Sequence, residues 1–502
     1  MFRSSRSALS YASLLAVTLS LSGCISNWGI GPKAKRIENA QLVTDQAIRK
    51  AAEAAGWPSA RWWEAYGDPQ LNAWVDMALE GNPDLAAAAA RVRRAQALAG
   101  AAGAAQAPQV NLAASMQHKK WPTDNFYGPA SLADTSTWNN TALFGLSFDL
   151  DLWGRLRSNT EMAMDLAKVA ATEARAAQLD IESNVVRSYI MLAMHHARLD
   201  IAKEQLKLLE ELLKLAKDRQ HIGLGTQQEV SDAEAPLPEA HRQIDLIHEE
   251  IALTRNELAA LAGKGPGEGS KIKRPALSLK HEPKLPSNVP LELLGRRPDV
   301  VASRWMVAAQ ARGIEVAKTD FYPNINLMGT LGTMATQGVM LDFLGQDKLT
   351  YALGPALTLP IFDGGRLRAQ LGAAAAGYDM AVEMYNGTLV RALQSVSNQL
   401  IRLKSLHEQE EFVAHSLETA EERVSLAEEA HKRGLTDYRE VLKAKTLLFQ
   451  QQHLQQQVRA AHLSAQSALW VALGGGVLVT EKSPEESTLD PKDVKLHMPG
   501  KP

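Results

Sequence analysis

The chain carries two copies of one plan. Asn82-Pro83-Asp84-Leu85 returns as Arg297-Pro298-Asp299-Val300, and Pro108 returns as Pro323, both at an offset of 215 residues. Trp153-Gly154-Arg155-Leu156 returns as Gly364-Gly365-Arg366-Leu367, 211 residues on. Gly223-Leu224 with Glu229-Val230 returns as Gly434-Leu435 with Glu440-Val441, and Leu261-Ala262-Gly263 returns as Ala472-Leu473-Gly474, again 211 on. Five landmarks in one order at near-constant offset indicate a tandem duplication of roughly 210 residues. The 502 residues could make two or three ordinary domains, but the duplication argues for one pseudo-symmetric body.

Within each copy the hydrophobic period changes from helix to strand and back. Asp68-Pro69 reads as an N-cap followed by proline at the first helical position, with Leu71, Trp74, Val75 and Leu79 at helical spacing. Asn82-Pro83 opens an Ala-rich helix to about Gln106. From Val110 the period is two: Val110, Leu112, Ala114 and Met116 alternate with Asn111, Ala113, Ser115 and Gln117. A second run places Trp138, Ala142, Phe144, Leu146, Phe148 and Leu150 on one face. The other copy repeats this with Ile325, Leu327 and Leu331, then Leu349, Tyr351, Leu353, Leu357 and Leu359. Runs of about ten residues, apolar on one face and polar or small on the other, have the length and pattern of tilted membrane-spanning strands. Trp121 and Trp138 flank the 122–137 connection and suit an interfacial belt.

Long helices follow each hairpin. From about Arg157 to Ile222, the residues Tyr189, Leu192, His196, Leu199, Ala202, Leu206, Leu209, Leu213 and Ala216 keep a coiled-coil spacing. From Arg366 to Lys432, Val413, Leu417, Ala420, Val424 and Ala427 do the same. Sixty-odd residues predict a rod of ~90–100 Å. Returning helices are expected over about Gln227–Leu261, interrupted by Pro236 and Pro238, and over about Tyr438–Leu473. Four spanning strands cannot close a barrel, and open strand edges are not tolerated in lipid, so the chain must oligomerise. Three copies give twelve strands and twelve helical columns. The expected fold is therefore mixed α/β but mainly α: a trimeric 12-stranded outer-membrane β-barrel, four strands per chain, continuous with a long periplasmic α-helical coiled-coil barrel.

Arg3 and Arg6, an apolar stretch from Ala8 to Leu21, and Leu21-Ser22-Gly23-Cys24 resemble a lipoprotein export signal. The resemblance implies cleavage before Cys24, which is the lipid attachment site and the chain's only cysteine. Several acyl chains anchor stably where one is marginal. Ile25, where Asp commonly retains lipoproteins in the inner membrane, points to the outer membrane. The organisation read from the sequence is a signal peptide over 1–23 and a lipid-anchored segment over 24–68. A first repeat over 69–263 holds a hairpin at about 109–150, and a linker runs over 264–290. A second repeat over 291–475 holds a hairpin at about 324–361, and a polar tail occupies 476–502.

With Trp62-Trp63, Gly67-Asp68-Pro69-Gln70-Leu71, Asn82-Pro83-Asp84-Leu85, Asp151-Leu152-Trp153-Gly154-Arg155, Arg296-Arg297-Pro298-Asp299-Val300, Tyr322-Pro323 and Pro360-Ile361-Phe362-Asp363-Gly364-Gly365, the chain resembles the TolC-like outer-membrane factors, most closely their NodT-type lipoprotein branch. The resemblance implies a homotrimeric, passive, gated exit duct for small molecules that meets a periplasmic adaptor (membrane fusion) protein and an inner-membrane efflux pump. It also implies that charged residues just after the glycine ending each long helix pinch the periplasmic end shut. Asp437, Arg439, Glu440 and Lys443 are the aperture candidates, faced by Gln228, Glu229 and Asp232 from the first repeat. Lys443 stands where an acid is common in the family, so an acidic ring does not follow at that level. Three copies of Lys443 around one axis would repel unless Glu440 or Asp437 pairs with them. The alternative for these residues is an ordinary solvated helix face.

The remaining motifs do not add up to an enzyme. Gly263-Lys264-Gly265-Pro266-Gly267 lacks phosphate-loop spacing. His195-His196 lies on the first long helix, with His196 on the seam and His195 beside it; Asp200 follows His196 at i+4, but packing explains the pair better than a metal site. Asp149 and Asp151 suit a turn at a strand end, and Trp57, Trp62 and Trp63 suit packing better than sugar binding. No cofactor and no metal are expected, and a net charge of −2 gives no reason to expect nucleic acid. A lipid-anchored periplasmic coiled-coil scaffold or adaptor is the competing reading; it leaves the two amphipathic hairpins unexplained.

Overall fold

A computed structural model describes residues 29–37, 58–122, 134–278, 296–336 and 339–476. The export segment with Cys24, Trp57, residues 279–290 of the 264–290 linker and the tail after Gly476 lie outside the described residues. In order the elements are α1 (Pro69–Gly81), α2 (Pro83–Ala104), β1 (Gln109–Lys120), β2 (Ser136–Asp149), α3 (Arg155–His221), α4 (Gln227–Glu234) and α5 (Leu237–Leu261). They continue with α6 (Pro298–Thr319), β3 (Asn324–Ala335), β4 (Leu349–Thr358), α7 (Arg366–Lys432) and α8 (Tyr438–Ala472).

The duplication is visible element by element. Helices α2 and α6 are 22 residues each, β1 and β3 are 12 each, and α3 and α7 are 67 each. The junctions repeat too. Asn82 Nδ2 donates to Leu261 O at 2.8 Å, and Arg297 Nη1 donates to Ala472 O at 2.8 Å, so different side chains tie the helix start to the returning helix in the two copies. Gly263 (φ +66°) and Gly474 (φ +94°) follow those returning helices. A Cβ at Gly263 would sit 2.0 Å from Gly81 O, and one at Gly474 2.4 Å from Arg296 O. Glycine is required at both places by backbone conformation and by close approach together.

The chain divides into two compact units, each taking equivalent stretches of both repeats: Met1–Arg36, Val92–Val169 and Ser303–Tyr385 in one, Ile37–Arg91, Ala170–Ala302 and Asn386–Pro502 in the other.

The first unit contains one antiparallel sheet in the order β1-β2-β3-β4. Register decides its chemistry. Val110 pairs with Leu146, Leu146 with Gly329 and Gly329 with Leu353; Leu112 pairs with Phe144, Phe144 with Leu331 and Leu331 with Tyr351. Pairing positions share a face, so the apolar sets of all four strands fall on one side. Asn111, Gly145, Thr330 and Ala352 align on the other. The apolar side is bare: Val110, Leu112, Phe144, Leu331, Tyr351 and Leu353 are all exposed. Strands β1 and β4 are open edges of this sheet. Trp138 stands on the apolar face with His118, ring centroids 5.3 Å apart. Trp121 instead donates its Nε1–H to Thr137 Oγ1 at 2.8 Å, toward the polar face, so of the two belt candidates only Trp138 stands on the apolar face. At the other strand ends Trp153 stacks on Tyr322 at 5.0 Å and donates to Pro323 O at 2.8 Å. Asp151 turns the chain into α3 with φ 45° and caps the helix start by accepting from Leu156 N and Arg157 N, both 2.9 Å. Asp363 caps α7 in the same way through Leu367 N.

The second unit has the main core. Trp62, Trp63, Tyr66, Leu71, Val75, Val185, Val186, Tyr189 and Leu192 are buried together. Trp62 packs 5.6 Å from the Trp470 ring and donates to Glu182 at 3.2 Å. The tryptophan pair is thus a packing element. Asp68 caps α1 through Gln70 N at 2.9 Å, and its second oxygen accepts from Tyr189 OH and Ala276 N, both 2.8 Å. Gln70 takes both backbone groups of Lys273, at 3.0 and 3.1 Å. The Asp68-Pro69-Gln70 signal therefore also straps down the start of the segment that joins the repeats. Ile272 is buried there, so the first part of that linker is packed and hydrogen-bonded.

The seam of α3 is mostly as spaced, with Tyr189, Leu192, Leu199, Ala202 and Ala216 buried, but Leu208 is buried where Leu206 and Leu209 are only half-buried. Likewise His195, not His196, is the buried histidine. Its Nδ1 lies 3.0 Å from Glu250 of α5, which Arg198 also meets at 2.8 Å. The partner that sequence spacing did not supply comes from the returning helix. Pro236 and Pro238 break that return into α4 and α5, as proline lacking a donor must.

Candidate functional site: the helix-hairpin tips

Both long helices end in the same turn. Leu224 N donates to Arg219 O and Gly223 N to Gln220 O; Leu435 N donates to Ala430 O and Gly434 N to His431 O. Gly223 (φ +76°) and Gly434 (φ +73°) supply the left-handed residue this pairing needs. The next helices are capped by Thr226, accepting from Glu229 N at 3.2 Å, and by Asp437, accepting from Arg439 N at 3.2 Å. The caps are themselves repeat equivalents, Thr226 and Asp437 being 211 residues apart.

That alignment organises the aperture candidates. Gln228 corresponds to Arg439, Glu229 to Glu440 and Asp232 to Lys443, each at 211 residues. The two hairpin tips thus present one set of positions with different charge. In the first repeat Gln228 donates to Asp232 at 2.8 Å. In the second, Asp437 accepts from Arg439 Nε at 3.0 Å and lies 2.9 Å from its Nη2, while Lys443 pairs with Glu440 at 2.7 Å. Backbone and side-chain hydrogen bonds from Arg439 hold the Asp437 carboxyl below its ordinary range, with a smaller push from Arg219. Asp437 in turn holds the Arg439 guanidinium more firmly protonated, helped by the fields of Glu229 and Glu440. The structure therefore brings Glu229 and Arg219 of the first hairpin within electrostatic reach of Asp437 and Arg439 of the second. It also gives Lys443 the acidic partner that a three-fold ring of lysines would require.

Arg439, Leu442, Lys443, Thr446, Leu447 and Gln450 line one shallow groove along α8. Ile222, Leu224 and Leu435 at the tips are 66%, 69% and 75% exposed. These apolar tip residues were not among the sequence candidates, although the repeated Gly-Leu pair was their signal. Among the described residues no group of three or more His, Cys, Asp or Glu is placed to hold a metal ion, and no helix is long and apolar enough to cross a membrane.

The sequence profile of outer membrane efflux proteins matches residues 74–264 and 289–475, one match per repeat. The chain belongs to the outer membrane efflux protein family. It is similar to the fusaric acid resistance protein FusA of Burkholderia cepacia, 52% identical over 364 residues that cover 72% of this chain and 69% of that one. Among solved structures it is similar to the outer membrane protein VceC of Vibrio cholerae, 33% identical with a TM-score of 0.77, covering 84% of this chain and all of the other. The Campylobacter jejuni CmeC outer membrane channel, 22% identical with a TM-score of 0.82 over 91% of this chain and 97% of its own, shares the fold. The chain is an outer-membrane channel component of the efflux type.

Proposed function

We propose that three copies of this chain close a twelve-stranded barrel and act as the lipid-anchored exit duct of a tripartite efflux system. The observation that carries this is the sheet: four strands, apolar on one side, open at both edges. Unpaired edge groups in hydrocarbon cost several kcal/mol each, so β1 of one copy must meet β4 of the next. Cys24 carries the lipid, and the Leu21-Ser22-Gly23-Cys24 signal supports the NodT-type branch. Ile222, Leu224 and Leu435 are apolar side chains on the two hairpin turns, left exposed by the described residues. They suit contact with a periplasmic adaptor, through which an inner-membrane pump drives the cargo. Asp437, Arg439, Glu440 and Lys443, with Gln228, Glu229 and Asp232, form the aperture that opens when the adaptor engages. FusA's name ties it to fusaric acid resistance, and the 52% identity makes that acid the first cargo to try.

The test is the mass of the detergent-extracted oligomer together with the lipid content of Cys24. A trimer that stays in the membrane when the lipid is removed supports the duct. A monomer released by removing the lipid alone supports the anchored scaffold instead. Deleting the gene should sensitise the cell to fusaric acid if that cargo assignment holds.

A further inference from the structure

The connection between β3 and β4 does not simply leave the sheet. Asn140 of β2 lies at an apolar-face position, pairing with Ala335 of β3, and its Nδ2 donates to Met340 O at 2.7 Å. Asn140, Ala335 and Phe343 are the buried residues at this end of the sheet, at 1%, 6% and 7% exposure. The short turn Asp342–Leu344 packs against β3. The connection therefore folds back over the apolar side, to the level of the Asn140–Ala335 pair. Val339, Met340, Leu341 and Leu344 stay exposed there. Its backbone closes on itself: Asp342 N donates to Val339 O, Leu344 N to Leu341 O and Gly345 N to Asp342 O, each at 3.1 Å.

We propose that residues 339–344 lie in the headgroup region of the outer leaflet, adding four apolar side chains to the lipid-facing surface of the sheet. The occupant follows from continuity, since the turn is fastened to the same face that carries Val110, Leu112 and Phe144. The depth follows from composition. Asp342 sits in the middle of Val339-Met340-Leu341-Asp342-Phe343-Leu344, and a carboxylate is costly in hydrocarbon but tolerable among headgroups. Internal hydrogen bonds reduce the penalty of bringing an irregular turn to that depth. Trp138 and His118 stand on the same face one pair beyond Asn140, where an interfacial aromatic belongs. The inference rests on the reading that the apolar sheet face meets lipid.

The experiment uses the full mature protein in liposomes. An environment-sensitive fluorophore is placed on Leu341→Cys, and on Leu344→Cys as a second position. Leu112→Cys marks the sheet face and Leu224→Cys the aqueous hairpin tip; labelling of the unsubstituted chain sets the background from Cys24. The proposal expects blue-shifted emission at 341 and 344, quenched more by headgroup-level nitroxide lipid than by deep-chain nitroxide or aqueous iodide. Quenching by iodide as strong as at 224 would place the turn in water and overturn it. Blue-shifted emission insensitive to every quencher would put the turn against a neighbouring copy and also overturn it. If Leu112→Cys itself escapes lipid quenching, the lipid-face reading of the sheet fails first, separately from the turn.

Discussion

Asp68 closes three contacts with one carboxylate, and its removal should loosen the junction of the two repeats more than it loosens anything else. In Asp68→Ala the α1 cap to Gln70 N is lost, at a cost of about 1 kcal/mol. Tyr189 OH and Ala276 N also lose a charged acceptor at 2.8 Å. Hydrogen bonds to charged groups contribute roughly 1.5–3 kcal/mol each, and neighbouring losses do not simply add. Taking about 2–3 kcal/mol for local opening of the 272–278 strap gives a roughly 30- to 150-fold rise in its open population. Trypsin reads this directly, because cleavage of a transiently opened segment tracks its population when reclosing is fast. The bonds after Lys271 and Lys273 are the reporters, Pro275 protecting the bond after Arg274. Cleavage after Lys432 at the hairpin tip is the internal control and should not change. Asp68→Asn should also release the strap while keeping the cap, since an amide nitrogen cannot accept from Ala276 N. Cleavage of Asp68→Ala at the wild-type rate would refute the assignment of the strap to Asp68.

Three further outcomes follow from other parts of the molecule. Gly263→Ala and Gly474→Ala should each cost more than the ~1–2 kcal/mol of a left-handed non-glycine residue, because the new Cβ meets Gly81 O or Arg296 O. Gly434→Ala, with open space around it, should cost only the backbone term; urea midpoints compare the three. Lys443→Gln and Glu440→Gln should each change single-channel conductance, the first more than the second if Lys443 faces the axis; identical conductance and voltage response in both would remove them from the aperture. Burial lowers His195, His196 and His453 below the ordinary histidine value, so the folded protein binds their protons less readily than the unfolded chain. Their contribution is complete above about pH 6.5 and is lost as the pH falls below it. Burial raises Asp165, Asp180 and Glu182, which acts in the opposite direction, so the readout is a difference. His453→Gln should lose less stability than the wild type between pH 7.5 and pH 5, and parallel pH profiles would contradict this.

The elements legible in the sequence were those set by local signals. Proline at helix starts, Gly-Leu at helix ends and the change of period from 3.6 to two fixed α7 at its predicted bounds and α3 within two residues. Alternation also assigned the faces of all four strands, because register in a half-buried sheet follows the apolar set. What local spacing could not show was long-range. Pairing of β2 with β3 joins residues from different repeats, and the strap on Asp68 and Gln70 links positions about 200 apart in sequence. His195 was passed over for His196 because its partner, Glu250, sits on another helix. At the hairpin tips the charged positions could be named in advance, but not which of Glu440 and Asp437 pairs with Lys443, nor that Asp437 pairs with Arg439. That depends on rotamers at i+2 and i+3, not on composition.

An exit duct must form a pore. Planar-bilayer conductance of the purified mature protein, with oligomer mass determined in the same detergent, tests it in one preparation. The account predicts trimers that give discrete conductance steps. A monomer without conductance would contradict it and leave the apolar side of the β1–β4 sheet without a lipid to face.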